Sequence, residues 1–223
     1  MCQKNDNGIF WPKPVADEMT RARGNIGMAL HALCDEELFR RFLEGDDAAY
    51  TTLYHRYSAR LLGYIRSLLS GDPEAADALF QETFIRLFRE RDRCRDGETE
   101  AVRNAGGWLF RVARNLTLNH LRSRSYLAPL STQDETLMVT VEEAHTDFFG
   151  DEPDEETLLS AVHEVVQTLP AGLREVFLLR EVNGMSYEQT AEIIGCSEEA
   201  ARMRLSRARS AIRRALQSLF IDR

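Results

Sequence analysis

The sequence predicts an all-α fold of two helical domains joined by an acidic flexible linker, the C-terminal domain being a helix-turn-helix. Three observations predict it. Apolar residues recur at three- and four-residue steps in both halves of the chain, and no Val- or Ile-rich alternation suggests a sheet. Between Tyr126 and Val162 stand ten acidic residues and not one Lys or Arg, a sharp change of composition between two helical blocks. The run CSEEAARMRLSRARSAIRRAL, Cys196 to Leu216, sets six arginines against two glutamates in a chain whose formal net charge is −8.

A length of 223 residues suits one large domain or two small ones, each able to bury a core. The four cysteines, Cys2, Cys34, Cys94 and Cys196, form no CxxC pair, so reduced thiols in a cytoplasmic protein are expected rather than a disulfide framework. His31 and Cys34 are spaced for a metal on a helix, but no second pair accompanies them, and neither metal nor cofactor is expected. No apolar run approaches the roughly 18 residues of a membrane span, so no membrane insertion is expected. In RARGNIGMALHALC, His31 interrupts the apolar run and Leu33 stands where a cleavage site needs a small residue, which argues against a secretory signal. Residues 1–33 therefore read as a flexible N-terminal extension.

The N-terminal domain is expected over residues 34–125. Leu53, Tyr57, Leu61, Tyr64 and Leu68 lie at helical spacing, as do Phe80, Phe84 and Leu87, with Gly45 and Gly71 between the periodic runs. Asp72 and Pro73 are cap and first residue of the next helix. A fourth helix is expected after Gly106-Gly107, from Trp108 to about Arg124. The linker is expected at 126–155, flexible because acid-rich and aperiodic chain buries too little to order itself.

The C-terminal domain is expected over 156–219. Ser186 and Gln189 have the spacing of a capping box for a short helix ending at Gly195, and Ser197 caps the next. Two helices about a glycine-containing turn are the sequence form of a helix-turn-helix. On the second helix Ala201, Leu205, Ala208, Ile212 and Leu219 form one stripe, and Met203, Ser206, Arg207, Ser210 and Arg214 face the other way. Only Arg202 has an acid four residues before it, Glu198, so the arginines are not spaced as internal ion pairs. Planar guanidinium forks suit phosphates and guanine edges, and the basic helix reads as an address for DNA.

Further stretches place that helix in a family. EEAARMRLSRAR resembles the promoter-reading helix of bacterial RNA polymerase sigma factors, and LPAGLREVFLLREVNGMSYEQTAEIIG resembles what precedes it there. DEELFRRFLEGDDAAYTTLYHRYSARLL, LFQETFIRLFRE and WLFRVARNLTLNHLRSR resemble successive helices of the sigma domain that binds core polymerase and the −10 element. With two domains and a short acidic linker, the chain resembles sigma factors of the extracytoplasmic-function type.

The resemblance implies a sigma factor that catalyses nothing itself, with core RNA polymerase and promoter DNA as partners; an anti-sigma factor stays open as a third. It implies that Asp77, Gln81, Glu82 and Phe84 belong to the helix docking on core polymerase, although the periodicity also suits a core role for Phe80 and Phe84. Ala78 stands where the family pattern has a second carboxylate. It further implies that Trp108, Arg111, Arg114, Asn115 and Asn119 meet the −10 element, Trp108 reading equally well as core, and that the loop RCRDGETEAVRNAGG captures a flipped base. Arg202, Met203, Ser206 and Arg207 are implied at the −35 element. Glu198, Glu199, Ala200 and Ala201 replace the proline or glycine, threonine and valine common there, so promoter preference is expected to differ from that of relatives. The linker is implied to lie near the path of nascent RNA; its carboxylates there suit either a stand-in for RNA phosphate or a solubilising spacer.

Two other readings compete. A stand-alone helix-turn-helix regulator would need a sensory module, and none with its own pattern is found. An enzyme would draw on His31, His55, His120, His145 and His163, but no HExxH, GxSxG or phosphate-loop spacing occurs.

Overall fold

The computed structural model describes residues 3–4, 10–11, 30, 32–69, 71–125 and 155–220. The acidic linker and most of the N-terminal extension lie outside the described residues. Within the extension, strand β1 (Gln3–Lys4) pairs antiparallel with β2 (Phe10–Trp11), Gln3 opposite Trp11. Every longer element is helical, as the periodicity predicts. Leu30 is 3% exposed and part of the core, with Leu33 packed against it, although both fall within the expected extension.

Helix α1 (Asp35–Leu43) opens on three carboxylates and closes on Arg40 and Arg41, charges that complement its dipole. Glu37 accepts from Arg40 and Arg41, whose guanidinium hydrogen bonds hold its carboxyl down at about 2. After Gly45, which turns the chain at φ 94°, the Asp46 carboxylate caps α2 (Asp47–Leu69) by accepting from Ala48 N at 2.9 Å. Helix α3 (Pro73–Arg95) begins as expected: Asp72 accepts from Ala75 N at 3.0 Å with Pro73 in the first turn.

Helix α4 spans Ala105–Ser125, three residues earlier than the Trp108 start expected from its two glycines. Asn104 caps it, accepting the Gly107 N–H at 2.8 Å. Gly106 lies against the Tyr57 ring, where its lack of a side chain is required. Asp35 fastens this corner by accepting from Arg56 at 2.6 Å, from the Tyr57 hydroxyl and from Gly106 N at 3.2 Å. At the other end of α4, Arg124 reaches Asp72 at the start of α3.

Aromatic rings fill the space between α1, α2 and α3. Phe42, Tyr50, Tyr54, Phe80, Phe84 and Phe88 form a chain of contacts, for example Tyr50–Phe88 at 4.6 Å and Tyr54–Phe84 at 4.9 Å. Each such pair contributes about 0.5–1.5 kcal/mol beyond area burial. The Arg91 guanidinium covers the cluster, 5.0 Å above Phe42 and 5.1 Å above Phe88.

In the C-terminal domain α5 (Glu155–Thr168) is broken from α6 (Ala171–Phe177) at Pro170. The chain leaves α6 through a π-helical segment, Leu178–Val182, closed by Asn183, whose backbone and side-chain amides both donate to the Leu178 carbonyl. Helix α7 (Tyr187–Ile194) has the reciprocal capping box, with bonds of 2.9 and 3.0 Å between Ser186 and Gln189. It ends on Gly195 at φ 78°, and Ser197 caps α8 (Glu198–Phe220) through Ala200 N at 3.1 Å.

The two domains share one hydrophobic cluster, with α7 lying against α4. Polar contacts cross the seam. Arg60 donates to the Asn183 carbonyl, Arg174 to the Ser67 carbonyl at 3.2 Å, and Tyr64 to Glu175 at 3.0 Å.

Candidate nucleic-acid interface

Helix α8 buries Ala201, Leu205, Ala208, Ala211, Ile212 and Ala215 against α5, α6 and α7, while Arg202, Met203, Ser206 and Arg207 are exposed on its outer face. Met203 is 51% exposed, unusual for a large apolar side chain. Gly195, left-handed at φ 78°, turns the chain out of α7 ahead of α8, on which the four side chains are exposed.

The arginines of this helix fall into two groups. Arg202 is held, bonded to Glu198 at 2.9 Å and stacked 4.9 Å from the Tyr187 ring centroid. Arg180 covers Tyr187 at 4.1 Å. Arg209 pairs with Glu181 at 2.7 Å, an ion pair that the four-residue spacing test misses because its acid comes from the π-helical segment. Among the described residues Arg204, Arg207, Arg213 and Arg214 have no carboxylate partner. Unpaired guanidinium groups along one helix can accept phosphates or base edges without first breaking an ion pair.

The candidates on α4 divide differently. Asn115 and Asn119 are exposed, and Trp108 is half-buried against the core. Arg111 and Arg114 point into the seam between domains. Arg111 donates to Glu192 of α7 at 2.6 Å, and Arg114 donates to Glu175 of α6 at 2.6 and 3.3 Å. The loop expected to hold a flipped base is shorter than RCRDGETEAVRNAGG, because α3 continues to Arg95 and α4 starts at Ala105. Cys94 ties that loop down by donating to the Glu100 carbonyl at 3.3 Å.

On α3, Asp77 and Gln81 are exposed on one face, Asp77 paired with Arg66 at 3.0 Å. Glu82 is half-buried and accepts from Arg86 at 3.1 Å and Arg89 at 3.2 Å. Of the two roles the sequence leaves open for Phe84, docking contact and core, the structure shows the core one. Phe84 is 2% exposed within the aromatic cluster and presents no surface to a partner; its helical spacing with Phe80 and Leu87 marked the buried face. Tyr187, Glu175 and Glu192 were missed because their contacts join residues far apart in sequence.

A helix-turn-helix with an unpaired arginine face, packed on a second helical domain, defines a DNA-binding transcription protein. Comparison with known proteins specifies which. The model of sigma-70 region 2 matches residues 53–126 and that of sigma-70 region 4 matches residues 159–219. RNA polymerase sigma-H factor of Pseudomonas aeruginosa is 36% identical over 196 residues, covering 83% of this chain and 95% of the relative. The ECF RNA polymerase sigma-E factor of Haemophilus influenzae is 31% identical over 197 residues, covering 84% of this chain and 97% of the relative. The sigma factor RpoE from Bartonella quintana, solved in complex with the anti-sigma factor NepR, superposes with a TM-score of 0.56 at 25% identity, covering 78% of this chain and 98% of that one. The chain belongs to the RNA polymerase sigma factors of the extracytoplasmic-function type, which direct promoter-specific transcription initiation.

Proposed function

We propose that this sigma factor binds core RNA polymerase through the exposed face of α3, with Asp77, Gln81 and Glu82 as contacts and Phe84 supporting them from beneath. The domain at 34–125 reads the −10 element through Arg111, Arg114, Asn115 and Asn119, with Trp108 at the edge of the core. The domain at 156–219 reads the −35 element through Arg202, Met203, Ser206 and Arg207. The chain catalyses no step and acts in the cytoplasm beside the polymerase. The similar sigma factor of Bartonella quintana, solved with NepR, supports an anti-sigma factor as a further partner.

The observation that carries this reading is the face of α8, where Arg207 lies exposed without an acidic partner among the described residues, beside exposed Ser206 and Met203. Transcription in vitro with core polymerase and fragmented genomic DNA tests it. Discrete transcripts that require the added chain and share two upstream elements are expected. The same fragments transcribed equally without it would refute the proposal.

A further inference from the structure

Among the described residues three large apolar side chains stand exposed, Leu121, Val182 and Met203, and of these Met203 alone belongs to α8. It lies near the middle of the outer face. Ser206, Arg207 and Ser210 follow it at steps of three, four and seven residues and are all exposed, while Ala201, Leu205, Ala208 and Ile212 are buried on the opposite side. The exposed side chains around Met203 are polar or charged: Glu199, Arg202, Ser206 and Arg207. A single thioether within such a ring is no apolar patch of the size that a protein partner needs.

The chemistry of Met203 narrows what it can meet on DNA. It has no donor for a phosphate, and its sulfur is only a weak acceptor. On the floor of the major groove adenine, guanine and cytosine present donors and acceptors, and thymine alone adds an apolar group, its C5-methyl. A thioether pressed on a polar base edge strips away water and returns no good hydrogen bond, which costs free energy. Against the methyl both surfaces leave water at no such cost, and an unbranched, polarizable side chain fits itself to the contact.

We propose that Met203 is a specificity-determining residue that reads the C5-methyl of one thymine in the −35 element. This rests on the assignment of the outer face of α8 to that element. A recognition helix in the major groove sets the N-terminal part of its outer face on base edges, and Met203 lies in the second turn of α8. Arg207, one turn further on, carries the charge that attracts any duplex. Met203 adds a preference among sequences, and salt does not screen it because no charge takes part.

The test uses the full chain assembled with core polymerase on a promoter duplex recovered by the transcription experiment above. Each thymine of the −35 element is replaced in turn by deoxyuridine, which lacks only the C5-methyl. Wild type, Met203→Gln, Met203→Leu and Arg207→Ala are compared by fluorescence anisotropy over a salt series, with circular dichroism to check helicity. The wild-type holoenzyme is expected to bind one of the deoxyuridine duplexes about fourfold more weakly, the worth of one buried methyl group. M203Q should bind that duplex and its thymine parent equally, M203L should keep the penalty, and the ratio should stay constant with salt. A −35 element without thymine, or deoxyuridine penalties the same in wild type and M203Q at every position, would overturn the proposal. R207A separates that failure from failure of the underlying assignment. If R207A weakens binding to the parent duplex, the −35 face stands and only the role of Met203 falls. If neither R207A nor M203Q weakens it, the −35 assignment falls and the proposal falls with it.

Discussion

A β-carbon at Gly106 would lie 2.5 Å from the hydroxyl oxygen of Tyr57 and 2.7 Å from two of its ring carbons. The ring cannot step aside, because its hydroxyl is bonded to Asp35 and Asp35 also receives the Gly106 N–H. Three segments, the start of α1, the middle of α2 and the start of α4, meet at this point. Gly106→Ala should destabilise the N-terminal domain by about 1–3 kcal/mol through overpacking. A urea titration should show a lower midpoint at an unchanged slope.

The same corner contributes to a pH dependence. Burial pushes the Tyr50 phenol up to about 12, and burial followed by the nearby carboxylates raises Tyr57 (Asp35) and Tyr64 (Glu175) as well. In the unfolded chain phenols ionise near ~10. A raised native value means that the unfolded state loses its proton first, so this contribution is full below about pH 10 and is lost as pH rises towards 12. Stability should therefore fall from about pH 10 upward. Three of the six tyrosines should show tyrosinate absorbance only as the helical circular dichroism disappears. Full tyrosine ionisation with helicity intact would contradict this.

Gln81 and Glu82 offer a test of polymerase docking that leaves the fold alone. Gln81 is exposed and Glu82 makes only surface ion pairs, worth about 0–1 kcal/mol each. Replacing both with alanine should leave the melting temperature nearly unchanged and weaken retention of core polymerase in a pull-down. Equal retention by the double variant would move the docking surface elsewhere.

On α8, Arg207 and Tyr187 should behave differently. Arg207→Ala removes a cation with no acidic partner, so promoter binding should weaken and the slope of log K against log salt should fall by roughly one if it holds a phosphate, or affinity should drop by about 1–3 kcal/mol at one base position if it holds a base edge. Tyr187→Leu touches no proposed DNA contact but removes the ring on which Arg202 rests. It should lower affinity for the −35 duplex less than Arg202→Ala does, with the Arg202→Ala effect shrinking in the Tyr187→Leu background. Gel-shift titrations over a salt series measure both. Additive losses would show that the ring does not position Arg202.

The sequence by itself determined the helices, their caps and the family. Asp72 with Pro73, Ser186 with Gln189, and Gly195 act over three or four residues, and the apolar stripe of α8 repeats within one helix, so one strand of text contains all the interacting parts. The exposure of Arg202, Met203, Ser206 and Arg207 follows from that stripe. Tertiary structure alone decided which charges are occupied by partners from other helices. Arg114 meets Glu175 across 61 residues and Arg209 meets Glu181 across 28, while Tyr187 stands between Arg180 and Arg202. It also decided that α4 starts at Ala105, because the Gly106 backbone is held by Asp35 from α1. The physical reason is common to all of these. Helix propensity and capping depend on neighbours along the chain, whereas the partner of a long side chain depends on which surfaces the fold brings within a few ångströms.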